Sequence, residues 1–436
     1  MQSNFKQVGK GILLLSVFLL GIFFVSGCIG QEEVEAKHPL DGLTIEVGVI
    51  QASSITENER IATEVAAEEV NAYVKTLGID VTFVPLFEAT EGRTALVVEK
   101  FDTLMARDVK FILGLWWSSS VRAIIEKANE QKIVVISGAS TAMDLAIPDD
   151  FIFRMPVTDE GQGPAIASMI RDYGIEAVIC TQRADTWADG LYGYFEERWV
   201  TDLGFTVHQR IRYDPEKTEF GAEAELLDGY IAEAKAQYGD DKVGVLHLGF
   251  TVDTTALQAS VAEYPGIMNT PWFGSDGHAQ TADFIREQGT NAVKIKHVST
   301  LMGISRTHDQ YYDFAAAYTP RYGAAPGTYE ACQYDSFWLI AKAILEAGSV
   351  DTDVVRQALP TVAAQYFGAS GWTKFNTAGD RQAANFDVWA VVYPEESLDP
   401  EALYPDANSI GWEIVGFYDV MADSTTWFVD IPIPLG

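Results

Sequence analysis

Two runs of hydroxyl residues each close an apolar segment, and that placement suits them to hold an anion. Phe111 to Leu115 is apolar and gives way to Ser118, Ser119 and Ser120, after which Val121, Ile124, Ile125 and Ala128 recur at helical spacing. Ile133 to Ile136 repeats the move and ends in Ser137, Gly138, Ala139, Ser140 and Thr141. Each run predicts a buried parallel strand followed by a helix or a turn. The first amides of a helix lack intrahelical partners and lie at the positive end of its dipole, so a carboxylate placed there gains hydrogen bonds and favourable charge together. The same serines could instead only cap their helices.

The elements around these runs repeat the pattern. Leu43 to Ile50 predicts a strand, and Thr56-Glu57-Asn58-Glu59 has the form of a capping box before a helix reaching about Lys75. Val81 to Phe87 and the helix near Thr94 to Ala106 follow. Four strand–helix units in a row predict a parallel, doubly wound sheet. Phe151 to Pro156 breaks the series as a crossing between lobes, with Asp159 read as the cap of the next helix. A second α/β series then runs to Phe273-Gly274-Ser275-Asp276-Gly277, a second crossing is expected at Lys296 to Leu301, and an apolar-faced helix spans Tyr329 to Ala347. Two such lobes imply a cleft beyond the strand carboxyl ends.

The chain has 436 residues, enough for two or three domains with sizeable cores, and its 18 Tyr, 23 Phe and 10 Trp supply the bulk for them. The formal net charge of −32 argues against nucleic acid and against an anionic membrane surface as partners. Lys6 and Lys10 precede an uncharged apolar run from Gly11 to Val25, the pattern of an export signal. The following Val25-Ser26-Gly27-Cys28 resembles a lipobox, which implies a lipid-modified Cys28 and a body held outside the cytoplasmic membrane. Residues 28–42 read as a tether. Cys180 and Cys332 are expected to be buried thiols without a disulfide, and no zinc-type spacing is present.

No dinucleotide fingerprint, Walker sequence, nucleophile elbow or His-Glu-x-x-His occurs, which points away from an enzyme. The histidines are scattered along the sequence, and His278, beside Asp276-Gly277, reads as a solvated loop residue. Neither a metal nor a cofactor is expected.

In order along the chain, the serine cluster, Ser137 to Thr141, Phe153-Arg154 with Asp159, Phe273 to Gly277, Tyr334-Asp335 and Phe375-Asn376 through Gly379-Asp380-Arg381 resemble the substrate-binding proteins of ABC importers related to the leucine/isoleucine/valine-binding protein. That resemblance implies a type I periplasmic-binding-protein fold, two Rossmann-like lobes with parallel sheets joined by a three-strand hinge. It places the first lobe at 43–157 plus about 301–372, and the second at 158–300 plus about 373–436. It implies an amino acid ligand of branched-chain type or a similar zwitterion, and permease subunits as partners. Ser118 to Ser120, best matched at Ser119, and Ser140 with Thr141 then face the α-carboxylate, the Ala139 carbonyl faces the α-ammonium, and Asp276 completes the ammonium site. Trp187 and Phe250 match positions of ligand-packing aromatics. Trp116 and Trp117 are bulkier than the family leads one to expect, and with Trp187 and Trp272 they leave open a same-fold module that takes an amide, urea, aromatic or cationic ligand.

Overall fold

The computed structural model describes residues 37–53, 57–398 and 410–430; the export signal, Cys28 and most of the tether lie outside them. The first lobe is built from β1 (Leu43–Gln51), α1 (Asn58–Thr76), β2 (Val81–Ala89), α2 (Thr94–Ala106), β3 (Phe111–Gly114), α3 (Ser118–Gln131), β4 (Val134–Ser137) and β5 (Ile152–Arg154). Its five strands pair in the order β2-β1-β3-β4-β5, all in parallel. β3 and β4 are buried at every position, as continuous apolar runs covered on both faces must be. The strand order reverses between β1 and β3, so their carboxyl ends open a crevice, and the serine cluster sits there.

The second lobe follows with α4 (Asp159–Asp172), β6 (Ala177–Arg183), α5 (Thr186–Glu196), β7 (Thr206–Tyr213), α6 (Gly221–Tyr238), β8 (Val243–Leu248), α7 (Thr251–Val261), α8 (Pro265–Met268), β9 (Trp272–Gly274), α9 (Ala282–Lys294) and β10 (Val298–Met302). The chain then returns to the first lobe through α10 (Asp309–Tyr322), α11 (Thr328–Ala347) and α12 (Thr352–Gln365). Their apolar faces join the core of β1, β3 and β4 through Phe314, Phe337, Ile340 and Leu359. After a two-residue ladder of β11 (Phe367–Gly368) with β12 (Gly371–Trp372), the last strands are β13 (Phe386–Val392), β14 (Gly411–Asp419) and β15 (Ser424–Trp427). They add antiparallel to β10, giving an eight-stranded sheet in the order β15-β14-β13-β10-β9-β8-β6-β7.

Two arginines fasten the passages between lobes. The fully buried Arg154 donates from Nε to Asp380 Oδ1 at 2.5 Å, and Arg381 donates to the carbonyls of Met155, Ser370 and Trp372. Arg154 also donates from Nη1 to Ala142 O at 2.6 Å, so both guanidinia satisfy backbone carbonyls at these passages.

Three local expectations change. Glu57 caps α1 without a side-chain bond, and Glu59 turns away to accept from the Ala52 amide, so no reciprocal capping box forms among the described residues. Trp272 is fully buried beneath α6 and α7 and does not approach the cleft. His278 is fully buried where a solvated loop residue was expected, because the loop that carries it folds back over the ends of β8 and β9. Cys180 and Cys332 are both buried and free.

Candidate functional site

At Gly114 the chain leaves β3 with φ of 92°, and a Cβ there would lie 2.3 Å from the Ile50 carbonyl oxygen, so only glycine fits. This turn aims Trp116, Trp117 and Ser118 into the cleft. The first bond of α3 runs from the Ser120 amide to Trp117 O, which leaves the amides of Ser118 and Ser119 ahead of it at the helix start. Ser118 Oγ accepts from Ser140 Oγ at 3.1 Å, Thr141 N at 3.3 Å and Ala142 N at 3.2 Å. Ser118 lines the cavity and, with its oxygen so occupied, still has its hydroxyl proton to donate.

That cavity measures about 200 Å³ and collects residues from both lobes. Of the residues singled out in the sequence, Trp116, Trp117, Ser118, Ala139, Thr141, Trp187, Phe250 and Asp276 line it. Ser119, Ser120 and Ser140 do not. Successive helical residues point about 100° apart, so only one of three consecutive serines can face the cleft. It is Ser118, while the Ser119 hydroxyl turns back to Thr94 Oγ1 at 3.2 Å and Ser120 is buried. Ser140 is buried behind the wall and acts on Ser118.

The opposite wall is acidic. Asp276 is 8% exposed; its Oδ2 accepts from the Tyr329 hydroxyl at 2.5 Å, across the cleft from α11, while its Oδ1 has no well-formed hydrogen bond, with Gln162 and Ser275 close to the carboxylate. Burial lifts this carboxyl to about 6, with the Tyr329 hydroxyl pulling it back down. Asp159 is fully buried, and neither of its carboxylate oxygens has a well-formed hydrogen bond. Burial, and then the charge of Asp276, push it well above the usual carboxylate range, against the nearby Thr141 hydroxyl, which favours the charged form. Asp159 does not cap α4; Thr158 holds that position, and the Asp159 amide donates to Thr141 O at 3.1 Å. Asp276 therefore faces a patch of hydroxyls and helix-start amides across a small space, and Asp159 is buried behind the lining, beside Thr141 and close to Asp276.

Aromatic rings close the remaining sides. Trp117 of the first lobe stacks on Phe250 of the second, with centroids 5.7 Å apart at 13°, and Phe250 stacks in turn on Trp187 at 4.7 Å. The Arg183 guanidinium lies 4.2 Å from the Phe250 centroid. Trp116 meets Tyr329 at 6.0 Å. Tyr329 and Asp159 are the residues that sequence reasoning missed; Asp159 carried a local explanation as a cap, and Tyr329 lay on a helix read only for its apolar face. Among the described residues no cationic side chain lines the cavity. A larger hollow of about 720 Å³ lies under the hinge, lined by Asp149, Asp150, Arg356 and Lys374. It lies at β5 and the hinge, away from the β1–β3 crevice where the helix starts and the acid pair converge.

The model of the family described as "Receptor family ligand binding region" matches residues 58–393. An uncharacterized protein of Methanocaldococcus jannaschii is 26% identical, covering 94% of this chain and 98% of its own. Among solved structures, a leucine-binding protein of Thermotoga maritima superposes with a TM-score of 0.68 at 19% identity, covering 85% of this chain and 97% of that one. A branched-chain amino acid transporter substrate-binding protein of Streptococcus pneumoniae, in complex with isoleucine, superposes with a TM-score of 0.67 at 18% identity, covering 86% and 99%. The chain belongs to the family of receptor ligand-binding regions, built on the type I periplasmic-binding-protein fold.

Proposed function

We propose that the protein is an extracytoplasmic solute-binding protein that captures an α-amino acid between its lobes and delivers it to the permease of an ABC importer. One observation carries this reading: the buried Asp276 carboxylate, its Oδ1 without a well-formed hydrogen bond, lines the same cavity as Ser118 at the start of α3, with a second buried acid, Asp159, close behind it beside Thr141. A primary ammonium needs an acceptor in the wall, which Asp276 supplies with the charge of Asp159 close behind it, and desolvated charges must be paired. The α-carboxylate takes the Ser118 hydroxyl and the two amides, so Ser119 acts through its main chain. Ser120 and Ser140 support that patch from behind. The Ala139 carbonyl lies at the ammonium, and the side chain lies against Trp116, Trp117, Trp187 and Phe250. Only the closed cleft pairs both charges at once, which gives closure its driving force.

The wall of five aromatic residues favours a second reading, a same-fold module for an amide, urea, aromatic or cationic ligand. In either case the lipid anchor at Cys28 holds the body at the outer face of the cytoplasmic membrane; among the described residues no helix is long and apolar enough to cross a membrane. No covalent step, metal or cofactor enters this reading.

The test is a thermal-shift panel on residues 29–436 with the twenty amino acids, their amides, aromatic acids, polyamines and urea. A ligand that binds only the folded state raises the melting temperature by mass action. A shift with neutral aliphatic amino acids supports the first reading. A shift restricted to compounds without an α-ammonium overturns it in favour of the second.

A further inference from the structure

Behind the Asp276 turn lies a buried polar cluster outside the cavity wall. His247, His278 and His297 are each fully buried. They come from β8, the loop after β9 and the residue before β10, which the sheet order β10-β9-β8 makes neighbours. The two hydroxyls of Thr181 and Thr254 occupy the His247 nitrogens, at 2.8 and 3.0 Å. The three imidazoles therefore do not converge on a point that could hold a metal ion, and no such group exists among the described residues.

His278 and His297 behave differently, because they meet each other. Their Nε2 atoms are 2.8 Å apart, with the Ser299 hydroxyl 3.1 Å from that of His297. His278 Nδ1 lies 3.0 Å from the Gly249 carbonyl oxygen, and His297 Nδ1 lies 3.1 Å from Gln258 Nε2. A carbonyl oxygen can only accept, so His278 Nδ1 carries a proton. Burial pushes both imidazoles below their usual range, so both are neutral at physiological pH, and His278 Nε2 is a lone pair. The Ser299 hydroxyl also lies 3.4 Å from that lone pair, but His297 Nε2, at 2.8 Å, is the nearer donor, and His297 Nδ1 then accepts from the Gln258 amide. Every proton runs the same way, from α7 to Gly249.

The far end of this chain touches the cleft. Gly249 immediately precedes Phe250, and His278 follows Asp276 by two residues, so the last bond ties together the two loops that carry them. Gly274 makes room for the arrangement, since a Cβ there would lie 2.5 Å from both His278 Nε2 and Ser299 Oγ. We propose that Gln258, His297 and His278 form a one-way hydrogen-bond relay that fixes the Asp276 loop against the Phe250 loop and so sets the distance between the acid and the aromatic wall of the ligand cavity. The inference rests on the reading in which Asp276 receives the ligand ammonium, and the three residues are positioning residues within it.

Two measurements test it. Nitrogen-15 spectra of histidine-labelled protein should report His278 as the Nδ1–H tautomer and His297 as the Nε2–H tautomer; the reverse assignment overturns the relay. Affinity is then measured for the amino acid that most stabilises the wild type in the panel. His278→Asn keeps an N–H where Nδ1 stood and should stay within about threefold of wild type, whereas His278→Leu removes it and should weaken binding at least about tenfold with the circular dichroism unchanged. A purely structural role would lower the melting temperature of both variants and leave their affinities alike, and that result overturns the proposal. Should His278→Leu fail to fold, Gln258→Leu at the other end carries the comparison, with unchanged affinity as the overturning result. If no amino acid stabilises the wild type, the site reading fails and the positioning role with it, while the tautomers still report whether the relay exists.

Discussion

The two walls of the cleft treat their polar groups in opposite ways. On the first lobe, Ser118, Ser140, Thr141 and Ala142 satisfy one another, and Ser137 Oγ closes the set by donating to Leu115 O at 2.9 Å and accepting from the Ser140 amide at 3.1 Å. On the second lobe, Asp159 and Asp276 are buried with three oxygens lacking well-formed hydrogen bonds. The hydroxyls of the donor wall are therefore tied to one another before any ligand arrives and contribute to stability, with the start of α3 left to the ligand. The acceptor wall costs stability until a cation completes it. A mutation on one wall should lower affinity and stability together, and a mutation on the other should set them against each other.

The sharpest break of this contrast is at the acids. Asp159→Asn and Asp276→Asn each remove one carboxylate charge while keeping the shape of the side chain. Each should weaken binding of the best-stabilising amino acid by about 2–5 kcal/mol, since an ammonium would be left incompletely paired in a desolvated site. The melting temperature of the unliganded protein should hold or rise. Calorimetry and thermal melts on the same samples give both readings, and unchanged affinity in both variants would remove the acid pair from the site.

The donor wall should answer differently. Ser118→Ala strands three donors at once, two of them backbone amides, and should cost about 1–3 kcal/mol of stability along with a drop in affinity. A chemical-denaturation midpoint lowered in parallel with affinity supports the contrast. Lost affinity at full stability would mean that Ser118 serves only the ligand.

How far the sequence reached follows the same division. The parallel strands could be read because runs such as Phe111 to Leu113 and Val134 to Ile136 are buried on both faces and hence apolar throughout. The donor wall could be read because its residues are consecutive at strand–helix junctions. Which serine faces the cleft could not, because that depends on where the first turn of α3 begins, a matter of one residue. Asp159 escaped because a carboxylate at a helix start already has a local reason to be there. The histidine relay had no sequence signal: His278 and His297 stand 19 residues apart, and His247 is further away, until sheet order makes them neighbours.

A gentler probe is pH. Asp276 sits at about 6 in the folded chain, and Asp159 is also raised, so both bind protons more tightly folded than unfolded. Their contribution to the unliganded fold is fullest below the unfolded carboxylate value of about 4, and the part from Asp276 is lost as pH rises through about 6. Affinity for an ammonium must move the opposite way, rising over that window as the carboxylates ionise. Melting temperature and dissociation constant measured from pH 4 to 8 should therefore cross, and parallel trends would contradict the acid-pair assignment.

The smallest effect is expected where the walls touch without charge. Trp117 and Phe250 stack across the cleft at 5.7 Å and 13°, so they touch only when the lobes are closed. An aromatic pair of this kind contributes about 0.5–1.5 kcal/mol beyond its buried area. Trp117→Ala should thus weaken binding by roughly that amount while leaving each lobe's core intact, because the indole is only partly buried and belongs to neither core cluster. Small-angle scattering of the unliganded variant should show a larger radius of gyration than wild type, and saturating ligand should bring the two together. If the variant matches wild type in both states, the charge pairs alone hold the cleft shut, and the aromatic wall acts on the ligand and not on closure.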